Sequence, residues 1–317
     1  MIGRVTQLLQ TRLHGLAGAP AAMEILRRDA PGGLQPPGLI SPNRHCHLIA
    51  AREGWLAVNL ARQEDRDVIS ALTGARTAPE VALAARATSV VAAALVCELV
   101  ELHLPTALVG EAQPMRLSPI GSIEVPRRVL DMSALWAGPL CSELLRRAGA
   151  NVIRIDSLSR PDPTPQASPQ LHRFLSGDKQ VLALDLRTLV DRQRLLDEIT
   201  VADVLITSGR PAALARLGLT PESVQAVNPW LRWTAITAHG FTGTGSERVG
   251  FGDDCAAAGG LLRWRNGQPY FAGDALADPL TGVEAALATL AAPVPGLIDV
   301  PMAGTAAAYA ALAYLEC

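Results

Sequence analysis

Lysine is nearly absent from this 317-residue chain: it occurs once, at Lys179, and arginine carries nearly all the positive charge. An anion site built here must therefore use Arg side chains or backbone amides. Aromatic residues make up only 4% of the chain, so a core has to come from Ala, Leu and Val; with 49% apolar residues there is enough of them to exclude wholesale disorder. No C-x-x-C pair occurs among the five scattered cysteines, Cys46, Cys97, Cys141, Cys255 and Cys317, which argues against a disulfide framework and a structural zinc site. Long hydrophobic runs are missing as well. The most lipid-like stretch, residues 89–100, is short and interrupted by Glu98, so it reads as a buried helix and not as a span, which needs about 20 apolar residues. The N-terminal sequence MIGRVTQLLQTRLHGLAGAP has no continuous apolar run of the signal-peptide kind. A net charge of −2 leaves neither a nucleic-acid footprint nor an acidic tail. These absences predict a cytoplasmic protein with no nucleic-acid or membrane partner.

What is present divides into two patterns, in keeping with roughly 150 residues per domain. Residues 1–122 read as a small α+β domain: a Gly/Pro-rich loop at 31–43, a hairpin in HLIAAREGWLAVNLA, and helix over 63–104 with Pro79 at a first helical position. A Pro-bearing segment then places the boundary near residue 122. In residues 123–317 strands and helices alternate. Apolar runs at 128–135, 152–156, 181–186, 203–207, 231–237 and 296–300 are separated by helices near 140–148, 188–200, 211–217, 220–227 and 279–292, and Asn266-Gly267 marks a hairpin. Such alternation predicts a parallel sheet wrapped by helices.

The residues alone narrow the chemistry only partly. The turn Trp136-Ala137-Gly138-Pro139 aims free helix N–H groups at the sheet edge, a natural anion pocket. The dinucleotide pattern G-x-G-x-x-G is absent, although Asp156 closes the second strand where a ribose-binding acid would sit. Asp253 and Asp254 read as helix-capping residues. Asp278, directly before Pro279, suits either an N-cap or a nucleophile or base at the mouth of the sheet. His45 and His47 alternate around Cys46 with no third ligand in view, so no metal is expected; His239, at a strand exit before Gly240, reads as a pocket residue. No Ser-His-Asp or Cys-His arrangement stands out.

The order of segments says more. VLDMSALWAGPLCSELLRRAGANVIRID, FLSGDKQVLALDLRT, ADVLITSGRPAALARLGL, NPWLRWTAITAHGFTGTG, GFGDDCAAAGGL and LADPLTGVEAALATLAA together resemble the family III CoA-transferases, which include α-methylacyl-CoA racemases and carnitine-CoA enzymes. The resemblance runs over about residues 125–299. It implies a Rossmann-like large domain with a smaller α+β domain, and two chains interlocked as a homodimer or paired with a related chain. Coenzyme A is implied as co-substrate, with an acyl-CoA and a carboxylic acid as substrates. The family nucleophile falls on Asp278, which forms an aspartyl anhydride. CoA contacts fall on Ala134, Leu135, Trp136, Ala137, Leu184, Arg187, Ser208, Gly209 and Arg216, and the substrate pocket on His239, Gly240 and Phe251. Ser208-Gly209 departs from the family's usual pair. Phe251 stands where the racemases carry a His, which favours transfer over racemisation. Small-domain-like segments come first here, so the chain reads as a rearranged or shortened member. A racemase, or a non-catalytic acyl-CoA-binding paralogue, is the alternative.

Overall fold

Val5, Leu9 and Leu13 repeat at four-residue spacing and are fully buried, which makes the opening segment Ile2–Leu13 an amphipathic helix, α1. It is followed by the short α2 (Ala22–Ile25). The computed structural model describes residues 1–120 and 124–314; the boundary expected near residue 122 falls outside the described residues, as does Cys317. The expected hairpin forms as β1 (Cys46–Ala51) and β2 (Gly54–Asn59), turning through Glu53 at φ +63. Residues 63–104 break into α3 (Gln63–Thr73), α4 (Pro79–Ala87, with Pro79 at its first turn) and α5 (Ala92–Glu101). β3 (Thr106–Leu108), not foreseen, joins β2 to complete a three-stranded antiparallel sheet. That sheet and its helices enclose a core of their own around Leu56, Leu83, Leu95 and Leu99. α1 and α2 instead share the core of the parallel sheet that follows.

The second pattern folds as β4 (Arg128–Met132), α6 (Ala137–Arg147), β5 (Asn151–Ser157), α7 (Thr164–Ala167), α8 (Pro169–Ser176), β6 (Gln180–Leu184), α9 (Leu189–Thr200), β7 (Val204–Thr207), α10 (Pro211–Ala215), α11 (Pro221–Val227), β8 (Arg232–Thr237), α12 (Gly252–Ala258), the hairpin β9 (Leu262–Arg265) and β10 (Gln268–Phe271), α13 (Ala277–Ala291), β11 (Gly296–Pro301) and α14 (Met302–Tyr314). Asn266 and Gly267 both take positive φ in the β9–β10 turn, as a two-residue hairpin requires. The strands β4, β5, β6, β7, β8 and β11 form one parallel sheet in the order β11-β8-β7-β4-β5-β6. From β4 the chain steps outward through β5 and β6, then crosses back to β7 and proceeds through β8 to β11. This is the Rossmann strand order, and it makes the gap beyond the carboxyl ends of β4 and β7 the switch point where ligands of open α/β sheets bind.

One helix pair fixes the site. α13 runs back from the carboxyl edge of the sheet to the start of β11, and it lies against α6 closely enough that Gly282 has no room for a side chain between Ala137 O and Leu140. A close approach of this kind needs glycine. The beginnings of α6 and α13 therefore stand near one another at the carboxyl edge.

Candidate active site at the start of helix α13

Ala275 holds φ at +44, a left-handed conformation unfavourable for any residue with a Cβ, and so turns the chain into α13. Its carbonyl accepts the N–H of Asp278 at 2.9 Å. Asp278 thus sits within the first turn of α13, after Leu276 at the cap position, and does not serve as an N-cap. Its carboxylate lies against Gly252, the first residue of α12, whose backbone N–H helps to lower its pKa. The side chain is half-buried: protein surrounds the carboxylate, yet part of the residue still reaches solvent.

Around it lies a dense group of acids. Arg28 grips Asp274 with both arms of its guanidinium, at 2.5 and 2.9 Å, and lies over the Trp136 ring at 5.5 Å. Asn43 donates to Asp253 at 2.6 Å and to Asp274 at 2.8 Å, and the other oxygen of Asp253 takes the N–H of Ala275 at 2.7 Å. Of the two acids expected to cap α12, only Asp254 does so, accepting the Phe251 N–H at 3.0 Å. Asp253 reaches across to the turn before α13 instead.

Electrostatics follow from this crowding. Burial raises the pKa of Asp278; Arg28 and the Gly252 N–H oppose the rise, Asp253 and Asp274 add to it, and the group stands at about 7. Burial likewise lifts Asp254 to about 8, so it holds a proton at neutral pH, and lifts Asp253 with help from Asp274. A carboxyl poised near neutrality on a half-buried residue at the carboxyl edge of the sheet has the character of a reacting group.

The turn after β4 borders the same region. Leu135 takes φ +68, and the Ala134 N–H donates to Ser208 Oγ at 3.1 Å, tying together the loops after β4 and β7 across the switch point. Trp136 and Ala137 are buried, and the Trp136 Nε1 has no partner. Gly209 is half-buried beside Ser208. Leu184 lies wholly in the core, so its backbone is all it can offer a ligand. Arg187 is exposed and already forked onto Asp185, at 2.8 and 2.9 Å. Arg216 is exposed at the end of α10, with no ion pair among the described residues. Asp156, at the second strand's end, pairs with Arg154 at 2.5 Å.

His239 is kept neutral: burial, with Arg248 nearby, lowers its pKa to about 3. Its Nε2 is buried without a partner. Gly240 holds φ +117 and donates to Thr237 Oγ1 at 3.0 Å, and the Arg62 guanidinium lies 5.7 Å from the centre of the Phe251 ring. Among the described residues no group of three or more His, Cys, Asp and Glu side chains is placed to hold a metal ion, and no helix is long and apolar enough to cross a membrane. Two open depressions, one of about 370 Å³ between Thr73 and Arg86 and one of about 310 Å³ bordered by Arg127, Asp203 and Arg232, lie away from Asp278.

Arg28 and Asn43 carry no local signal in the sequence. They meet Asp274 from 246 and 231 residues away, and only the folded chain brings them together.

Comparison with known proteins places relatives on the parallel-sheet part of the chain. The sequence profile described as CoA-transferase family III matches residues 127–296. Succinyl-CoA–D-citramalate CoA-transferase of Chloroflexus aurantiacus is 30% identical over 177 residues, 52% of this chain and 44% of that protein. Human succinyl-CoA:glutarate CoA-transferase is 26% identical over 168 residues, 50% of this chain and 38% of that one. The crystal structure of Rv3272 from Mycobacterium tuberculosis superimposes with a TM-score of 0.54 at 27% identity, covering 62% of this chain and 59% of that one. A CAIB/BAIF family protein from Brucella suis gives 0.53 at 25% identity over 63% and 58%. The chain spans less than half the length of these two curated relatives. With more than half of its residues matched, this chain belongs to CoA-transferase family III.

Proposed function

We propose that this chain moves coenzyme A between an acyl-CoA thioester and a carboxylic acid, with Asp278 as nucleophile. The observation that carries the reading is the placement of Asp278: a half-buried residue in the first turn of α13, close to the start of α6, with Arg28 bridging the neighbouring Asp274 and the Trp136 of the switch-point turn. An Oδ atom of the ionised carboxylate attacks the thioester carbonyl carbon. The C–S bond breaks, CoA leaves as thiolate, and an acyl-aspartyl anhydride remains. The thiolate then attacks the aspartyl carbonyl, releasing the donor acid and leaving a thioester on Asp278. An acceptor carboxylate displaces this CoA to give a second anhydride, and the returning thiolate takes the acceptor acyl group and frees Asp278. Anhydride and thioester are close in reactivity, so each step is reversible and divides one hard exchange into easier ones.

In this reading the CoA chain lies along the turn formed by Ala134, Leu135, Trp136 and Ala137, near Ser208 and Gly209, with Arg216 and Arg187 toward its phosphates. The unpartnered Trp136 Nε1 supports a polar ligand there. His239, Gly240 and Phe251 border the acyl group, and the assembly is an interlocked homodimer, to be measured by light scattering. A second reading, proton exchange at the α-carbon, draws on the same near-neutral Asp278. It wants a second acid or base where Phe251 stands.

Turnover in hydroxylamine separates the readings. A transferase yields a hydroxamate mapped to Asp278, a racemase washes solvent deuterium into the α-carbon, and a binding subunit does neither while retaining CoA. Absence of the hydroxamate with intact CoA binding would reject the nucleophile.

A further inference from the structure

We infer that Arg28 and Asn43 are positioning residues for Asp278, so that the segment ahead of the family-matched core completes the reacting centre. The inference rests on the reading of Asp278 as the nucleophile.

Every polar atom of the Asn43 side chain is engaged. Its Nδ2 donates to Asp253 Oδ2 at 2.6 Å and to Asp274 Oδ1 at 2.8 Å, while its Oδ1 accepts Ser41 Oγ and the His45 N–H, each at 2.9 Å. The amide is therefore fixed in one orientation, with its donors toward the two acids. Asp253, held in this way, takes the Ala275 N–H at 2.7 Å, and Ala275 in turn accepts the Asp278 N–H at 2.9 Å. Three hydrogen bonds lead from Asn43 to the backbone of Asp278, through a residue whose left-handed φ needs such an anchor. Arg28 supplies the positive charge among Asp253, Asp274 and Asp278, and its fork fixes Asp274 in place. The same guanidinium lies over Trp136, so one side chain spans the start of α13 and the turn before α6. Neither residue lies in the matched region 127–296.

The test uses the full chain carrying Arg28→Gln, Arg28→Lys or Asn43→Ala. One readout is independent of turnover: the carboxyl carbon of Asp278, assigned by its loss in Asp278→Asn, is titrated by 13C NMR. Arg28→Gln is expected to move the Asp278 titration to higher pH, and Arg28→Lys to restore it. In Arg28→Gln and Asn43→Ala the rate of hydroxamate formation is expected to fall roughly 10- to 100-fold, the scale of a small misplacement of a reacting group. CoA affinity should be unchanged in Asn43→Ala, whose side chain bonds only Asp253, Asp274, Ser41 and His45. Wild-type titration and wild-type rate in both variants would overturn the inference. Should Arg28→Gln not fold, Arg28→Lys and Asn43→Ala carry the test, since Lys keeps the charge without the fork and must slow the reaction without moving the titration. A wild-type protein that forms no hydroxamate rejects the nucleophile alone, and the titration then decides the role of Arg28.

Discussion

Gly252 and Asp278 touch: a Cβ built on Gly252 would collide with Asp278 Oδ2 and with the Ala275 carbonyl. Its φ is not the reason glycine is needed there; space is. The bare backbone lets the carboxylate lie against the start of α12, where the Gly252 N–H favours its ionised form. Gly252→Ala must push Asp278 aside, so turnover is expected to drop by about 100-fold. CoA affinity, measured by calorimetry, should hold, because the switch-point turn is untouched. Parallel loss of both would show that the substitution disturbs more than the nucleophile.

A second expectation concerns pH. Attack requires ionised Asp278, and its pKa stands at about 7, so the rate of the first acyl transfer should rise with pH and level off above about 7. Stability moves the opposite way. A carboxyl whose pKa is higher in the folded state holds its proton more tightly there than in the unfolded chain. Raising pH from the ordinary carboxylate range to about 7 therefore removes stability. Asp278→Asn is expected to be inactive and to free the fold of this charge. Its melting temperature should exceed wild type at about pH 8 by more than at about pH 5. Equal differences at both values would mean that Asp278 is not held near neutrality.

The parallel sheet was legible in the sequence for a physical reason: central strands buried on both faces read as unbroken apolar runs, such as VLIT at β7, punctuated by Pro and Gly. α14 was missed for a related one. MAGTAAAYAALAY is buried nearly all round, so it has no polar face to give a 3.6-residue period. α1 did carry a signal, Val5, Leu9 and Leu13, which the surrounding Gly and Pro residues masked. At the site, it is family likeness that singles out Asp278, since its position before Pro279 suits an N-cap as well. Asp253 could not be told from a cap, because its true partners, Asn43 and Ala275, lie 210 and 22 residues away.

Phosphate recognition gives a third expectation. Arg216 is exposed with no ion pair among the described residues, whereas Arg187 already pairs with Asp185. A cation free of competing acids gains most from a phosphate. Arg216→Ala should weaken CoA binding by about 1.5–3 kcal/mol, the range for a hydrogen bond to a charged group. Arg187→Ala should weaken it less. The reverse order in a calorimetric titration would shift the phosphates toward α9.

The chain's one lysine gives the last. Lys179 and Asp131 form an ion pair whose side chains are both 0% exposed, beneath the turn after β4. Burial lowers the pKa of Lys179, yet its Nζ keeps its proton, donating to Pro139 O at 2.8 Å, Ser142 Oγ at 2.6 Å and Asp131 at 3.2 Å. Burial alone would raise Asp131; Lys179 and the Ser133 and Ser142 hydroxyls outweigh it and hold the carboxyl below its usual range. The stability this supplies is present above the unfolded carboxyl pKa and fades as pH falls through the lower folded one. Lys179→Met leaves Asp131 charged and unpaired in the interior, which costs about 3–5 kcal/mol. Urea unfolding at neutral pH should show that loss, and Lys179→Met combined with Asp131→Asn should recover much of it. The Ser133 N–H and hydroxyl both donate to Asp131, and the next residue, Ala134, reaches Ser208. The single variant should therefore also weaken CoA binding where the protein remains folded. A Lys179→Met protein with wild-type stability and wild-type CoA affinity would show that the buried pair neither braces the sheet nor shapes the turn above it.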